Sequence, residues 1–215
     1  AGRWIQLHPA GDKRLADMSK VRYETWNNFS KVLVTEERSA TGGPGDKMGI
    51  FLDLACYTPI IRVREGEIDK TRGRFGDRIL PYLLRPGGDV AIIGSGGGRD
   101  VLAALSSKAN RVVAVEFNPT IVEILLGRYA EFSGRLFFDP RVRLVEAEGR
   151  NFIRVSDELY DAIVQQNALT QTAAVAGAFN LAENYVLTVE GFLDYWNHLR
   201  DGGVLYIRRP YVEAI

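Results

Sequence analysis

VAIIGSGGGRDVLAAL, residues 90–105, is the stretch of the chain that decides the fold. It begins with an apolar run of strand length, which is typical of a strand buried on both faces of a sheet. The turn Gly94-Ser95-Gly96-Gly97-Gly98 follows, and apolar residues then recur at helical spacing. Glycines at such a turn let a ligand approach where a Cβ would collide, and the helix start offers unpaired N–H groups. The stretch therefore predicts a strand, a glycine turn and a helix that bind a ligand, although such turns also serve packing alone.

Strands and helices alternate from this stretch to the end of the chain. Further buried strands are predicted at 109–117, 141–148, 160–166 and 202–209, and helices at 118–132 and 191–199. Asn118 and Pro119 supply the N-cap and first residue of the earlier helix, and Asp201-Gly202-Gly203 is the stop signal of the later one. The alternation predicts a doubly wound, mostly parallel sheet covered by helices, a Rossmann-like α/β fold.

The front part of the chain has a different pattern. Short β-branched and aromatic runs are separated there by turn formers, with a loop rich in glycine and proline at 39–47. Such clusters are typical of hairpin loops. We therefore expect a small β-rich N-terminal unit over residues 1–75 and the α/β domain over residues 76–215.

The composition argues against several classes of protein. The 215 residues carry 27 Lys and Arg against 27 Asp and Glu, so the zero net charge removes the main electrostatic reason to expect nucleic-acid binding. One cysteine and two histidines cannot build a Cys/His zinc site or an internal disulfide. No apolar run approaches the roughly 18–20 residues that span a bilayer, and the first residues do not resemble a signal peptide. We expect a cytoplasmic segment that binds no metal and does not contact a membrane.

Acidic residues at the ends of two later strands indicate the kind of ligand. Glu116 ends the second strand about twenty residues after the glycines, where a carboxylate accepts hydrogen bonds from ribose hydroxyls. Arg99 stands at the third-glycine position of the dinucleotide fingerprint, which favours a nucleoside without phosphates, such as S-adenosylmethionine. Glu148-Gly149, after the third strand, suits an adenine amino group. A solvated carboxylate and an ordinary turn are the alternative interpretations of these two sites.

Several segments match the pattern of one known family. They are AIIGSGGGRDVLAAL, VVAVEFNP, DPRVRLVEAEGRNFI, YDAIV and LTVEGFLDYWNHLRDGGVLYI, in that order, preceded by WNNFSKVLV and IFLDLACYTPI. Over residues 22–209 the chain resembles the spermidine/spermine synthase family, a branch of the S-adenosylmethionine-dependent methyltransferase fold. It is most similar to a bacterial subgroup that often carries membrane-spanning segments elsewhere in the chain. The resemblance implies that N-terminal β-hairpins cover the active site.

The resemblance also implies roles for individual residues. Those expected to bind the cofactor are Gly94, Ser95, Gly96, Gly98, Glu116, Glu148, Gly149 and Gln165. Those expected to line the substrate pocket are Tyr57, Gln166, Asn167 and Glu183, and Tyr57 stands where the family has a cofactor-contacting Gln.

The chain departs from the aminopropyltransferases of this family where they hold a cationic amine. Gly97 stands at the Asp of their glycine turn, and Gln166 and Leu169 stand at the two acidic positions after the fourth strand. A neutral amide attracts a polyamine weakly and cannot take its proton. Three functions therefore stay open: aminopropyl transfer to a polyamine-type amine, methyl transfer to an unknown acceptor, and ligand binding without catalysis.

The implied cofactor is S-adenosylmethionine or its decarboxylated form, with methylthioadenosine as the product of aminopropyl transfer and no metal. The expected partner is a small molecule such as a polyamine, and a homo-oligomer is compatible with the family. The family fold continues beyond the fifth strand of the sheet, whereas this chain stops at Ile215 and starts at Ala1 rather than Met. We therefore expect a piece of a longer protein that lacks the last strands of the fold, such as the cytoplasmic domain of a membrane-attached chain.

Overall fold

The fold consists of an antiparallel sheet followed by a parallel one, as seen in a computed structural model. The structure describes residues 16–37, 45–53, 56–64, 66–166 and 188–208. The antiparallel sheet contains β1 (Val21–Trp26), β2 (Lys31–Glu37), β3 (Lys47–Leu52) and β4 (Cys56–Ile61) in that order. Glu37 of β2 lies opposite Lys47 of β3, as the predicted hairpin requires. This sheet confirms the prediction of a small β-rich unit at the front of the chain.

The parallel sheet has the order β7-β6-β5-β8-β9. Its strands are β5 (Asp89–Ile93), β6 (Arg111–Glu116), β7 (Val142–Glu146), β8 (Tyr160–Gln166) and β9 (Leu199–Arg208), and all its pairings are parallel. The helices are α1 (Leu80–Leu84), α2 (Arg99–Ser106), α3 (Pro119–Leu126), α4 (Gly149–Arg154) and α5 (Val189–Asn197). Short 3-10 helices span Met18–Lys20, Ile68–Arg74, Gly76–Ile79 and Leu136–Phe138. The doubly wound α/β prediction is confirmed.

The strand order creates a switch point between β5 and β8. The chain runs outward from β5 through β6 to β7 and then returns to place β8 on the other side of β5. In open parallel sheets the ligand crevice lies at the carboxyl ends of the strands at such a point. The glycine turn lies there, directly after β5.

Two predicted helices differ in extent from the observed ones. α3 ends at Leu126 rather than near residue 132, because Gly127 adopts φ −112° and ψ −103°, which is not helical. Glycine is a poor helix former, so it ends the helix although the apolar pattern continues. α5 ends at Asn197, and Gly202 and Gly203 lie within β9 rather than stopping the helix.

The two sheets share one hydrophobic core. Val34 and Ile60 of the antiparallel sheet belong to the same buried cluster as Leu102 of α2 and Ile92 of β5. The proposed boundary between residues 75 and 76 stays a prediction, since the core is continuous across it.

Close packing between the glycine turn and β4 positions the site. Gly97 N–H donates to Thr58 Oγ1 at 2.8 Å. A Cβ at Gly97 would lie 2.3 Å from the Pro59 carbonyl oxygen, and one at Gly96 would lie 2.4 Å from Thr58 Oγ1. Gly96 also has a φ of +50°, which few side chains tolerate. The glycines are therefore required for contact with β4 as well as for the turn.

Gly97→Ala should destabilise the protein by about 1–3 kcal/mol, because the Pro59 backbone cannot move away without disturbing β4. Gly73→Ala is the matched control, since no atom lies within 4 Å of the position its Cβ would take. Urea denaturation of both variants measures the difference. Equal stability of the two variants would show that β4 does not press against the turn in solution.

Candidate adenosyl-binding site

The candidate site lies at the carboxyl ends of β5, β6 and β8. The glycine turn follows β5, Glu116 ends β6, and Gln165 is the penultimate residue of β8. Ile93 pairs with Gln165, so the glycine turn and the end of β8 are neighbours across the switch point. Glu148-Gly149 starts α4 after the outer strand β7. The structure thus brings the main predicted cofactor residues to one edge of the sheet, and their roles stay predictions.

Glu116 joins the glycine turn to the end of β6. One carboxylate oxygen accepts from Gly96 N–H at 2.8 Å, and the other accepts from Asn118 N–H at 2.9 Å. The side chain is buried, and this burial raises the pKa of the carboxyl group, while the backbone N–H donors act in the opposite direction. A carboxylate oxygen accepts more than one hydrogen bond, so both oxygens can still receive a ribose hydroxyl.

Glu148 acts as the N-cap of α4. Its carboxylate accepts from Arg150 N–H at 3.1 Å and from Asn151 N–H at 2.6 Å. Capping of this kind satisfies the orphan donors of the first turn. The sequence analysis assigned Glu148 and Gly149 to adenine, and the capping contacts show that Glu148 also has a structural role.

Two buried polar groups at the switch point have no partner among the described residues. The Ser95 hydroxyl and the Gln165 side-chain carbonyl oxygen are both unpaired, and these residues are only 3% and 2% exposed. Buried polar atoms are normally hydrogen-bonded, so each such exception calls for an explanation. Both residues were predicted to bind the cofactor, and polar groups of a ligand at this edge would satisfy them.

The predicted acceptor side is described only in part. The Tyr57 hydroxyl donates to Glu37, and the Tyr57 ring packs against Phe51 with centroids 5.2 Å apart. Gln166 ends β8 opposite Arg208 of β9. Asn167 and Glu183 lie outside the described residues, so their predicted place in the pocket is untested.

A contact that the sequence did not predict couples the antiparallel sheet to the end of β6, where Glu116 lies. Asn27, in the turn between β1 and β2, donates through Nδ2 to Asn118 Oδ1 at 2.7 Å and to Thr120 Oγ1 at 2.9 Å. Asn118 in turn donates to Ser30 Oγ at 3.1 Å. The pattern around Asn27 is typical of a turn, but it does not reveal a partner about ninety residues away.

Two surface concavities lie apart from this edge. Their volumes are about 330 and 210 Å³, and both are lined by Arg62, Val63 and Arg64. Neither includes the glycine turn or Glu116 in its lining. The candidate site is therefore marked by its buried polar groups and by its position at the switch point of the sheet, not by a cavity.

Searches for a membrane span and for a metal cluster gave negative results within the described ranges. No helix there has the length and apolar character needed to cross a bilayer. No group of three or more His, Cys, Asp or Glu side chains is placed there to hold a metal ion.

Comparison with known proteins identifies similar sequences. No protein-family model matches the chain. A polyamine aminopropyltransferase of Korarchaeum cryptofilum is 32% identical over 75 residues, which cover 35% of this chain and 23% of that protein. A polyamine aminopropyltransferase of Thermoplasma volcanium is 26% identical over 129 residues, covering 59% and 44% respectively. The matched stretches thus span less than half the length of these relatives.

Solved structures show the same fold. A spermidine synthase in complex with the transition-state analogue AdoDATO matches with a TM-score of 0.61 and 19% identity, over 88% of this chain and 56% of that one. The chain therefore shares the fold of spermidine synthases, and its sequence is similar to parts of two polyamine aminopropyltransferases. The spermidine synthase of Thermotoga maritima matches with the same TM-score and identity, over 88% of this chain and 57% of that structure.

Asn27→Asp should destabilise the protein by about 1–3 kcal/mol, because it removes the amide donor to Asn118 and Thr120 and places a charge beside their oxygens. It keeps the oxygen that accepts from Phe29 and Ser30 N–H within the turn. Asn28→Ala, at an exposed neighbouring position, is the control and should change stability little. Urea denaturation measures both, and a neutral Asn27→Asp would contradict the proposed coupling.

The stability contributed by Glu116 should fall as the pH rises. Because burial raises its folded-state pKa above the usual 4.5, the folded protein holds this proton more tightly than the unfolded chain does. The stability advantage of the wild type over Glu116→Ala should therefore be largest near pH 4.5 and shrink towards pH 8. Urea denaturation of both proteins at several pH values between 4.5 and 8 measures this difference in the free energy of unfolding. An advantage that grows with pH would mean that folding favours the ionised carboxylate.

Proposed function

We propose that this chain binds an adenosyl sulfonium compound and belongs to a transferase that moves an aminopropyl group to an amine. The observation that carries the proposal is the cluster of Glu116, Ser95 and Gln165 at the switch point of a spermidine synthase fold. The similarity to two polyamine aminopropyltransferases supports the same class of reaction.

Decarboxylated S-adenosylmethionine is the proposed donor, and a polyamine-type amine is the proposed acceptor. The amine nitrogen attacks the aminopropyl carbon attached to the sulfonium, and a new C–N bond forms. The C–S bond breaks, its electron pair stays on sulfur, and methylthioadenosine leaves. The nitrogen then releases one proton to water.

The described residues would contribute binding and alignment. Glu116 would hold the ribose hydroxyls, and Ser95 and Gln165 would orient the sulfonium side of the nucleoside. Alignment of nucleophile, carbon and leaving sulfur supplies a large part of the rate in a direct displacement. Gly97 and Gln166 cannot take a proton, so the amine would enter in its neutral form or lose its proton to solvent or to a residue such as Glu183.

The loss of acidic groups favours methyl transfer as a second candidate function. Gly97 leaves no room for a side chain, and Gln166 is a neutral amide, so neither attracts a polyamine. A methyl acceptor need not be a cation. Ligand binding without catalysis is the third possible function, and the experiments must distinguish it from aminopropyl and methyl transfer.

Methylthioadenosine should raise the melting temperature of the wild type, and Glu116→Ala should abolish that shift because the ribose loses its carboxylate. Glu123→Ala, on the exposed face of α3, is the matched control and should keep the full response. Thermal-shift titration measures all three proteins. A full response in Glu116→Ala would refute the ribose role.

Product analysis then separates the three functions. Decarboxylated S-adenosylmethionine with putrescine should yield spermidine and methylthioadenosine, which mass spectrometry detects. Formation of S-adenosylhomocysteine from S-adenosylmethionine would favour methyl transfer instead. Binding of adenosyl compounds without either product would favour the non-catalytic domain.

A further inference from the structure

Three arginines surround the start of α2, and two of them are neutralised. Arg78 pairs with Asp100 at 2.7 Å, with both side chains less than a tenth exposed. Arg208, at the end of β9, pairs with Asp77 at 3.1 Å. These two ion pairs balance their own charges and leave Arg99 as the remaining cation.

Arg99 has no carboxylate partner among the described residues. Its Nε is buried and makes no hydrogen bond there. Burial lowers the pKa of its guanidinium and the charge of Arg78 lowers it further, whereas Asp100 and Tyr57 act in the opposite direction without cancelling the shift. A half-buried cation without a partner is costly, and an anionic group beside it would offset that cost.

The position of Arg99 places this charge at the candidate site. It directly follows Gly98 and opens α2, so it starts at the switch point of the sheet. Tyr57, predicted to line the substrate pocket, is near enough to affect the pKa of Arg99. Ser95, four residues earlier, adds a buried hydroxyl without a partner among the described residues.

The acids Glu37 and Asp100 on the described side of the site already have partners, since Glu37 accepts from the Tyr57 hydroxyl and Asp100 pairs with Arg78. A side chain at Gly97 is blocked by the Pro59 carbonyl oxygen. Gln166 is neutral, and Glu116 is engaged by the backbone of the glycine turn and of Asn118. Arg99, which has no ion pair among the described residues, therefore attracts a carboxylate and repels an ammonium group.

We propose that Arg99 and Ser95 form a carboxylate-binding subsite beside the adenosyl site, so that one of the two reacting molecules carries a carboxylate. The inference rests on the adenosyl-sulfonium binding of the proposed function, and it replaces either the decarboxylated donor or the polyamine acceptor named there with a carboxylated molecule. The carboxylate belongs to the amino-acid tail of the donor or to the acceptor. A planar guanidinium suits a carboxylate because it donates two parallel hydrogen bonds.

Two pairs of ligands test the subsite by isothermal titration calorimetry. S-adenosylmethionine and its decarboxylated form differ by one carboxylate on the donor. Ornithine and putrescine differ by one carboxylate on the acceptor, and are titrated in the presence of saturating methylthioadenosine. In the wild type we expect the carboxylated member of one pair to bind about tenfold more tightly than its partner. A preference in the first pair places the carboxylate on the donor, and a preference in the second pair places it on the acceptor.

Arg99→Met should remove this preference and leave the affinity for methylthioadenosine within about twofold, because that ligand has no carboxylate. Arg99→Lys should retain part of the preference for the carboxylated ligand, since a lysine keeps the positive charge but not the two parallel donors of a guanidinium. Arg72→Met, at an exposed site, is the control and should retain the wild-type preference.

Two results would overturn the subsite. One is a wild type that binds both members of each pair equally, a comparison that does not depend on any variant folding. The other is a folded Arg99→Met protein that keeps the preference. If methylthioadenosine binds in these experiments, only the subsite falls, whereas if it does not bind either, the proposed function falls with it.

Discussion

The contact on which the candidate site depends is the bond between the Glu116 carboxylate and the N–H of Gly96. The oxygen lies 2.8 Å from the Gly96 nitrogen, so this buried hydrogen bond connects the turn after β5 to the end of β6. Burial makes the bond stronger and also penalises the charge that forms it. The same carboxylate also accepts from Asn118, which Asn27 holds from the antiparallel sheet. One acidic side chain thus connects the glycine turn to the end of β6 and, through Asn118, to the antiparallel sheet.

The antiparallel sheet packs directly against the glycine turn of the candidate site. β4 approaches the glycine turn so closely that Pro59 and Thr58 occupy the space of side chains at Gly97 and Gly96. The missing acid at Gly97 is therefore explained by packing, because no carboxylate could fit while β4 keeps this position.

Two ion pairs lie near the start of α2, whereas Arg99 has no ion pair with any residue that the structure describes. The buried pair of Arg78 and Asp100 connects the segment before α1 to the first turn of α2. Removing one member of a buried pair typically costs about 3–5 kcal/mol, so this contact also supports the turn. Together with the neutral residues Gly97 and Gln166, this arrangement is the basis of the proposed carboxylate-binding subsite.

The sequence by itself determined the order of strands and helices, the glycine turn and the residues at each strand end. These follow from local periodicity and from turn chemistry, and they sufficed to predict a doubly wound α/β fold, whereas the spermidine synthase-like character came from the resemblance of whole segments to that family. The end of α3 at Gly127 was missed because the apolar spacing continues past the glycine. Only the tertiary structure decided that Asn27 reaches Asn118, that Pro59 closes the space beside Gly97 and that Arg99 keeps no carboxylate among the described residues. Those contacts join residues far apart in the chain, so no local pattern records them, and their geometry depends on how the two sheets pack around their shared core.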